Sequence, residues 1–183
     1  MNHNTFNMPE LMKTGHIFTA KKKTTLLNEG DICQKIFIIE QGCVRSWFNS
    51  NGDDVTFQFF FEGDVVTSFE SLKHEVPALY NIETISDSRL RAITRTELFQ
   101  LINEKPAIKS IVDDYIMTRL YHYQMLFISR IRNTPQQRYD ELLKLQPNIF
   151  SQVPHHYIAT YLGITPVSLS RIRSKNKGSV NNC

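Results

Sequence analysis

A short stretch near the end of the chain, YLGITPVSLSRIR, combines residue types that can bind nucleic acid. Thr165, Ser168 and Arg171 recur at a spacing of three, which places them on one face of a helix. An arginine on such a face can fork onto a guanine edge or bind a phosphate. Arg173 and Lys175 follow, and such cations suit the phosphate backbone, which supplies affinity without sequence information.

Two short helices joined by a tight turn are needed to position these side chains. Ile158 and Leu162 form the apolar side of a helix that opens at Pro154, and Gly163 can adopt the left-handed conformation that ends it. Thr165 is predicted to cap the second helix, whose outward N–H groups then suit a phosphate. This is the pattern of a helix–turn–helix, with a plain helical hairpin of basic surface as the alternative. Three further apolar residues are expected to bury the junction: Ile164, Leu169 and Ile172.

The charge of the chain is unevenly distributed. The net charge is only +3, but residues 130–183 carry eight Lys and Arg against two acidic residues, a net +6, whereas residues 1–129 have a net −3. A basic C-terminal segment on a mildly acidic body favours an anionic partner for that segment alone. A solvated surface would have the same composition, so charge by itself leaves both interpretations open.

The sequence from about residue 17 to 95 is typical of β-strands. Runs such as KIFIIEQG, DVTFQFFFEGD and RLRAITRTE (residues 89–97) are rich in Ile, Val, Thr and aromatic residues, and several alternate apolar with polar positions. Asn51-Gly52 lies between two such runs and predicts a hairpin, because both residues tolerate positive φ. Short strands at fairly even spacing predict a jelly roll or barrel.

The second half of the chain has a helical period. Thr96 is predicted to cap a short helix that stops before Pro106. A long helix over 107–131 follows, and its apolar residues cover more than one narrow stripe. We therefore expect it to pack against both the β domain and a second copy of the protein, with a single broad core contact as the alternative. Thr134 and Gln137 predict a capping box on the next helix.

Several function classes find no support in the sequence. No apolar run approaches the roughly 18 residues of a membrane span, and the N-terminus lacks the apolar core of a secretory signal, so a cytoplasmic protein without a membrane partner is expected. Cys33, Cys43 and Cys183 are too few and too widely spaced for a disulfide framework, an iron–sulfur cluster or a metal cage. There is no G-x-S-x-G, no phosphate-binding glycine loop and no metal signature, so neither an enzyme nor a cofactor is predicted.

The order of a β-roll, a long helix and a C-terminal helix–turn–helix resembles the Crp/Fnr superfamily of bacterial transcription regulators. The residues that carry the resemblance are IATYLGITPVSLSRIR and the glycines of NEGD, IFIIEQGCVR and FFFEGDVV, which are Gly30, Gly42 and Gly63. In detail the chain is most similar to the Bacteroidetes-type branch, in which YLGIT…SLSRIR is typical. The resemblance covers roughly residues 15 to 177.

The resemblance implies an α+β fold in three parts. These are a double-stranded β-helix (a jelly roll like the cyclic-nucleotide-binding domain) at 1–105, a dimerisation helix at 106–132 and a DNA-binding domain at 133–183. It also implies a homodimer, joined through residues 107–131, that regulates transcription by reading a palindromic operator in double-stranded DNA, with RNA polymerase as a further partner. The roll would sense a small-molecule effector, which the sequence does not identify. The expected DNA-binding residues are Thr165, Ser168, Arg171, Arg173 and Lys175.

The chain departs from the family in the phosphate cassette of the roll. Members that bind cyclic AMP have a glutamate and, further on, an Arg-Ser pair, whereas the matching positions here are Ser68 and Ala78-Leu79. A buried phosphate without the arginine would lack its main charge partner, so we do not expect cyclic AMP to bind in the usual way. Ser68, Glu70 and Tyr80 are the candidates to line an altered effector pocket, and an empty or side-chain-filled roll is the alternative.

Two further departures concern the DNA-binding end. Pro166 and Val167 stand where well-known members have a charged base-reading pair, and the final segment NKGSVNNC (residues 176–183) is too short and polar for a β-wing. They leave open a second function, a ligand-binding β-roll protein whose degenerate helix–turn–helix serves protein interaction. A sugar-binding or cupin-type metal roll shares the architecture. It would need histidine ligands on its strands, and the predicted strands contain no histidine.

Overall fold

A computed structural model of the chain describes the backbone of residues 11–180 and the side chains of residues 11–175. In this part of the chain, eight strands follow a short 3₁₀ helix (Leu11–Lys13) and form two four-stranded sheets in the orders β1-β8-β3-β6 and β2-β7-β4-β5, with antiparallel neighbours. The predicted jelly roll is confirmed. The strands are β1 (His16–Ala20), β2 (Thr25–Leu27), β3 (Lys35–Gln41), β4 (Val44–Ser50), β5 (Asp53–Phe60), β6 (Val65–Val66), β7 (Asn81–Thr84) and β8 (Ser88–Thr94).

The hairpin predicted at Asn51-Gly52 joins β4 to β5. Asn51 and Gly52 have φ angles of 55° and 94°, and the first pair of the ladder is Ser50 with Asp53. Two successive positive φ angles match the right-handed twist of the strands they connect. This turn sets the register in which β4 presents Arg45 and β5 presents Thr56 to the rest of the molecule.

The helices begin with a short one inside the β half of the chain and end with a group after the roll. Residues 133–180 fold into four helices that pack at one end of the roll. The helices are α1 (Phe69–His74), α2 (Arg95–Glu104), α3 (Pro106–Arg132), α4 (Pro135–Leu145), α5 (Ile149–Gln152), α6 (His155–Leu162) and α7 (Pro166–Val180). None of the helices in this described part combines the length and apolarity needed to cross a lipid bilayer.

The start of α2 differs from the prediction. Thr94, and not Thr96, is its N-cap: the Thr94 hydroxyl accepts the Glu97 N–H at 3.2 Å, and the Glu97 carboxylate accepts the Thr94 N–H at 2.8 Å. The expectation for Thr96 was wrong because only Thr94 stands three residues before a glutamate, the spacing of a capping box. Accepting that N–H lowers the pKa of Glu97. The capping box of Thr134 and Gln137 is confirmed.

The long helix α3 presents one face to the roll and another to solvent. Ile108, Tyr115 and Arg119 are buried on the roll side. The Tyr115 hydroxyl donates to the Val65 carbonyl at 3.0 Å and accepts the Val65 N–H at 3.2 Å, which fastens the helix to β6. Large apolar residues such as Phe127 lie exposed elsewhere on the helix.

One expectation about the strands is wrong. His16 begins β1, so the strands do contain a histidine, which the sequence reading missed because it placed the first strand too late. The His16 side chain is exposed and lies beside Phe18, with 6.0 Å between the ring centroids. Among the described residues, no group of three or more His, Cys, Asp and Glu side chains is arranged to hold a metal ion.

Candidate functional site

The helices α6 and α7 are joined by the predicted glycine turn. Gly163 has φ 67° and ψ 39°, and the backbone N–H groups of Gly163 and Ile164 donate to the Thr160 and Ala159 carbonyls at 2.9 and 3.0 Å. This left-handed ending satisfies the last carbonyls of α6 and turns the chain into α7. Leu169 is buried at the junction of the two helices. We call these two helices and their turn the α6–α7 pair.

The first turn of α7 is capped as predicted. The Thr165 hydroxyl accepts the Ser168 N–H at 3.1 Å and lies 3.0 Å from the Ser168 hydroxyl. The two side chains are therefore hydrogen-bonded to each other at the helix N-terminus. Thr165 and Arg171 are exposed and Ser168 is half-buried, so the predicted face is brought together on one side of α7. Arg171 makes no hydrogen bond or ion pair with any other residue in the range 11–175, which leaves its guanidinium available to an external acceptor.

Arg173 does not share that face. It follows Arg171 by two positions, which turns it by about 200° around the helix. Its guanidinium lies 4.5 Å from the centre of the Phe150 ring, and Nη1 is 3.0 Å from the nearest ring nitrogen of His155. The structure thus separates Arg173 from Arg171 and Lys175, the latter being exposed. Whether any of these residues binds DNA stays a prediction.

Two arginines of the basic segment serve the protein's own backbone. Arg130 donates to the Tyr161 carbonyl and Arg138 donates to the Leu162 carbonyl at 3.0 Å, so both satisfy the C-terminal end of α6. Burial, together with the neighbouring Arg138, lowers the pKa of Arg130. Part of the local positive charge is therefore internal, and the net +6 of residues 130–183 overstates what the surface offers to a ligand.

The α6–α7 pair docks on the β-roll through α6. The Thr56 N–H on β5 donates to the Thr160 hydroxyl at 3.2 Å, and the Phe59 and Tyr161 rings lie 5.2 Å apart. One buried apolar cluster spans both parts: Cys43, Phe59 and Ile85 from the roll join Tyr139, Leu142, Ile149, Val153, Tyr157, Ile158, Ala159, Leu162 and Leu169. The helices after α3 are thus packed on the roll and do not form a separate core.

Arg45 on β4 is the polar centre of this contact. Its side chain is 1% exposed. Nε donates to Glu83 at 2.8 Å and Nη2 to Asp54 at 2.9 Å, while Nη1 donates to the Thr56 hydroxyl at 3.0 Å. The guanidinium lies 3.8 Å from the centre of the Tyr157 ring on α6. Burial raises the pKa of Tyr157. The sequence analysis did not identify Arg45. The available signal was an arginine at an inward-facing position of an apolar strand.

The structure brings together two of the three predicted pocket residues. Ser68 is buried near the Tyr80 phenol, which donates to the Thr67 carbonyl at 3.2 Å. Burial raises the pKa of Tyr80. Glu70 lies exposed in the first turn of α1. Its carboxylate therefore faces solvent, whereas Ser68, the N-cap of the same helix, is buried.

The sequence and the fold both match known proteins. Residues 17–105 match the family model of the cyclic nucleotide-binding domain. FixK2 from Bradyrhizobium japonicum has a similar structure, with a TM-score of 0.81 at 20% identity over 91% of this chain and 86% of that one. The c-di-GMP-responsive regulator CLP of Xanthomonas campestris has a TM-score of 0.71 at 15% identity, over 92% of this chain and 89% of that one.

A third similar structure is a mutant of CooA from Carboxydothermus hydrogenoformans, with a TM-score of 0.71 at 16% identity over 94% of this chain and 81% of that one. No curated protein sequence is significantly similar to the chain. Identities this low establish a shared fold only. Residues 17–105 therefore form a domain of the cyclic nucleotide-binding family, and the whole chain has the fold of the Crp/Fnr-type regulators.

Proposed function

We propose that the chain is a homodimeric transcription regulator that binds DNA through the α6–α7 pair and senses an effector in its β-roll. The observation that carries the proposal is the outer face of α7. There the capped helix N-terminus and the guanidinium of Arg171, which has no partner among residues 11–175, are exposed to solvent on a helix pair that packs on the roll. A DNA-binding regulator needs both features. The DNA-contacting face of α7 must be accessible to solvent, and the position of the helix pair must respond to the sensor domain.

The proposed dimer contact is a stripe along α3. Met117, Leu120, Gln124, Phe127 and Ile131 follow one another at alternating spacings of three and four, the pattern of a coiled-coil seam. All five are exposed, with Phe127 at 68% and Ile131 at 72%. By helical geometry the stripe points about 140° away from the buried roll-facing side of α3, so one helix can serve both contacts. Apolar side chains this exposed favour a second copy as their cover.

A two-fold dimer would present two copies of α7 to successive major grooves. Such a protein reads half-sites about 34 Å apart in a palindromic operator. Thr165, Ser168 and Arg171 would face the bases, with Lys175 toward the phosphates. Arg173 would act indirectly by holding α7 against α5 and α6. RNA polymerase would be a further partner of the bound dimer.

The proposed effector is not cyclic AMP bound in the usual way. Ala78 is buried and Leu79 is 71% exposed, so neither brings a charge to the roll interior. The polar groups that lie near each other in the predicted pocket are the Ser68 hydroxyl and the Tyr80 phenol, and the phenol donates to the Thr67 carbonyl. Neither group neutralises a phosphate charge, so a cyclic nucleotide would lack its counter-charge at these positions.

The test is a selection from a randomised duplex pool at physiological salt, with and without cyclic AMP. We expect a palindrome with half-sites one helical turn apart, and the same enrichment in both conditions. Arg171→Ala should lose about 1–3 kcal/mol of discrimination at one base position, whereas equal weakening on every sequence would make Arg171 a phosphate contact. Arg173→Ala is the matched control, and we expect no change in base preference. If the wild type enriches no sequence, with or without cyclic AMP, the DNA-binding proposal is contradicted.

The dimer is tested by sedimentation of Phe127→Glu. Burying a phenylalanine contributes about 1.5–3 kcal/mol, and a two-fold contact uses each residue twice, so the dimer dissociation constant should rise on the order of 100-fold or more. Leu79→Glu introduces the same change at a residue with similar exposure on the roll and should leave the dimer intact. A wild-type monomer at micromolar concentration would contradict the dimer.

A second candidate function draws on Val167. This apolar residue is 60% exposed in the first turn of α7, where it could contact a protein as well as a thymine methyl group. A protein-interaction surface would bind no duplex in the selection and would show no steep salt dependence.

A further inference from the structure

The first turn of α7 exposes an apolar side chain at the surface that is proposed to bind DNA. Val167 is 60% exposed, and Pro166 beside it is exposed as well. Among residues 133–175, the other exposed large hydrophobic side chain is Leu145, at the C-terminal end of α4. A single exposed valine is ordinary on a protein surface, but this one lies on the same side of its helix as Arg171.

Val167 and Arg171 both point away from the core. Leu169, which is 2% exposed, marks the buried side of α7. Val167 precedes Leu169 by two positions and Arg171 follows it by two, so each side chain is turned by about 200° from Leu169, in opposite senses. Val167 and Arg171 are thus four residues apart, which makes them neighbours on the helix surface, about 6 Å apart along its axis. The outer side of α7 therefore presents an apolar group and a guanidinium next to each other.

The polar groups of the first turn are used in the helix cap. The Thr165 hydroxyl accepts the Ser168 N–H at 3.1 Å, and the two hydroxyls lie 3.0 Å apart. Pro166 has neither a backbone N–H nor a polar side chain. The first turn also carries no acidic residue, which is the residue type that accepts the amino group of cytosine. The part of the first turn that is free to contact a ligand is therefore mainly apolar.

The major groove of DNA offers one apolar group at the edges of its bases. This group is the C5-methyl of thymine, whereas guanine presents the O6 and N7 acceptors that match an arginine fork. Arg171 has no partner among residues 11–175, so its guanidinium can supply that fork. Successive base pairs are about 3.4 Å apart, so two side chains about 6 Å apart on α7 reach base pairs about two steps apart or closer. An exposed valine beside such an arginine thus matches a thymine close to a guanine.

We propose that Val167 is a specificity-determining residue, which contacts the C5-methyl group of a thymine close to the guanine that Arg171 contacts. The inference rests on the proposed DNA binding by the α6–α7 pair, and it names a base feature that this pair reads. Because 5-methylcytosine carries its methyl group at the same ring position, the site would also distinguish 5-methylcytosine from cytosine. A side chain that contacted only phosphates would distinguish neither pair of bases, since phosphates carry no sequence information.

The test compares duplexes that differ only in this methyl group, with the Kd measured by fluorescence anisotropy. The starting duplex is the palindrome that the wild type enriches in the selection, and each thymine is replaced in turn by uracil in both half-sites. Removing one buried methyl group corresponds to about 0.8 kcal/mol, so the Kd should rise about fourfold per half-site and about 15-fold for both. We expect this rise at one thymine near the guanine and little change at the others. With a C·G pair at that position, 5-methylcytosine should lower the Kd by the same factor relative to cytosine.

The variant Val167→Ala links the methyl group to this side chain. It should bind the thymine and uracil duplexes about equally, with a Kd close to that of the wild type on the uracil duplex, because the two changes remove the same contact. Val76→Ala is the matched control. It changes the same residue type at a position that is 39% exposed and follows α1, and it should keep the wild-type ratio of the two Kd values.

Three results would overturn the proposal. They are a palindrome in which no thymine near the guanine is sensitive to its methyl group, a Val167→Ala variant that keeps the wild-type ratio, and a Val167→Ala variant that weakens binding to both duplexes equally, which is the effect of a structural role. In each case the wild type still binds its palindrome, so the DNA-binding proposal stands. A wild type that enriches no palindrome overturns both proposals and favours Val167 as a protein-contacting residue.

Discussion

Replacement of Arg45 by methionine tests whether this residue holds the α6–α7 pair on the roll. The change leaves Glu83, whose side chain is only 12% exposed, without its partner. Removing one member of a buried ion pair costs about 3–5 kcal/mol. Asp54 is 44% exposed, so its share is at most about 1 kcal/mol because solvent screens it. The range of about 3–5 kcal/mol already includes the lost contact with the Tyr157 ring. We therefore expect the free energy of unfolding to fall by about 3–5 kcal/mol.

Urea denaturation followed by circular dichroism and by the fluorescence of Trp47 measures this loss. Trp47 is the single tryptophan of the chain, and the centre of its ring lies 4.7 Å from the Arg45 guanidinium carbon, so it reports on this contact. Arg89→Met is the control, because Arg89 is 53% exposed in its pair with Glu40 and should contribute less than about 1 kcal/mol.

A double-mutant cycle of Arg45→Met with Tyr157→Leu isolates the link between roll and helices. We expect a coupling of about 1–2 kcal/mol for a desolvated cation–π contact. An Arg45→Met variant as stable as Arg89→Met would refute the reasoning. A coupling of zero would show that Arg45 stabilises the roll alone.

Two further predictions concern single backbone features. Gly163→Ala should destabilise the protein by about 2–4 kcal/mol in urea. About 1–2 kcal/mol of this is left-handed strain, and the rest is the hydrogen bond to the Tyr161 carbonyl that Arg130 loses when the new Cβ, 2.8 Å from its Nη1, displaces the guanidinium. Gly30 has φ +89°, but a Cβ added there has no atom within 4 Å, so Gly30→Ala should lose only the stability that the strain costs. Equal losses of stability in the two variants would contradict an effect of the Arg130 contact. Thr94→Ala should lower the free energy of unfolding by about 1 kcal/mol because the N-cap is lost, while Thr96→Ala should change it by no more than about 0.5 kcal/mol. A larger loss for Thr96→Ala in the same denaturation assay would indicate that Thr96 is the N-cap.

Features that depend on neighbours in sequence were predictable. The turn at Asn51-Gly52, the capping box of Thr134 and the glycine end of α6 were each read correctly, because their hydrogen bonds and dihedral angles involve residues no more than five apart. The error at Thr96 came from the same local rule, applied without checking for the glutamate three residues after Thr94. The alternation of apolar residues was enough for the jelly roll, while the short strands β2 and β6 have too few residues to show a period.

Sequence by itself determined the order of the elements, the two ends of the α6–α7 turn and the face that Thr165, Ser168 and Arg171 share. Tertiary structure decided what each charged side chain is used for. Arg45, Arg119 and Arg130 are equivalent in a sequence, yet Arg45 is satisfied by carboxylates, Arg119 lies against two aromatic rings and Arg130 binds a helix end. The physical reason is that the partners of a buried charge come from distant segments, such as Glu83 for Arg45, 38 residues apart. Residue type fixes the charge, and only the packing of those segments supplies or withholds its counter-charge.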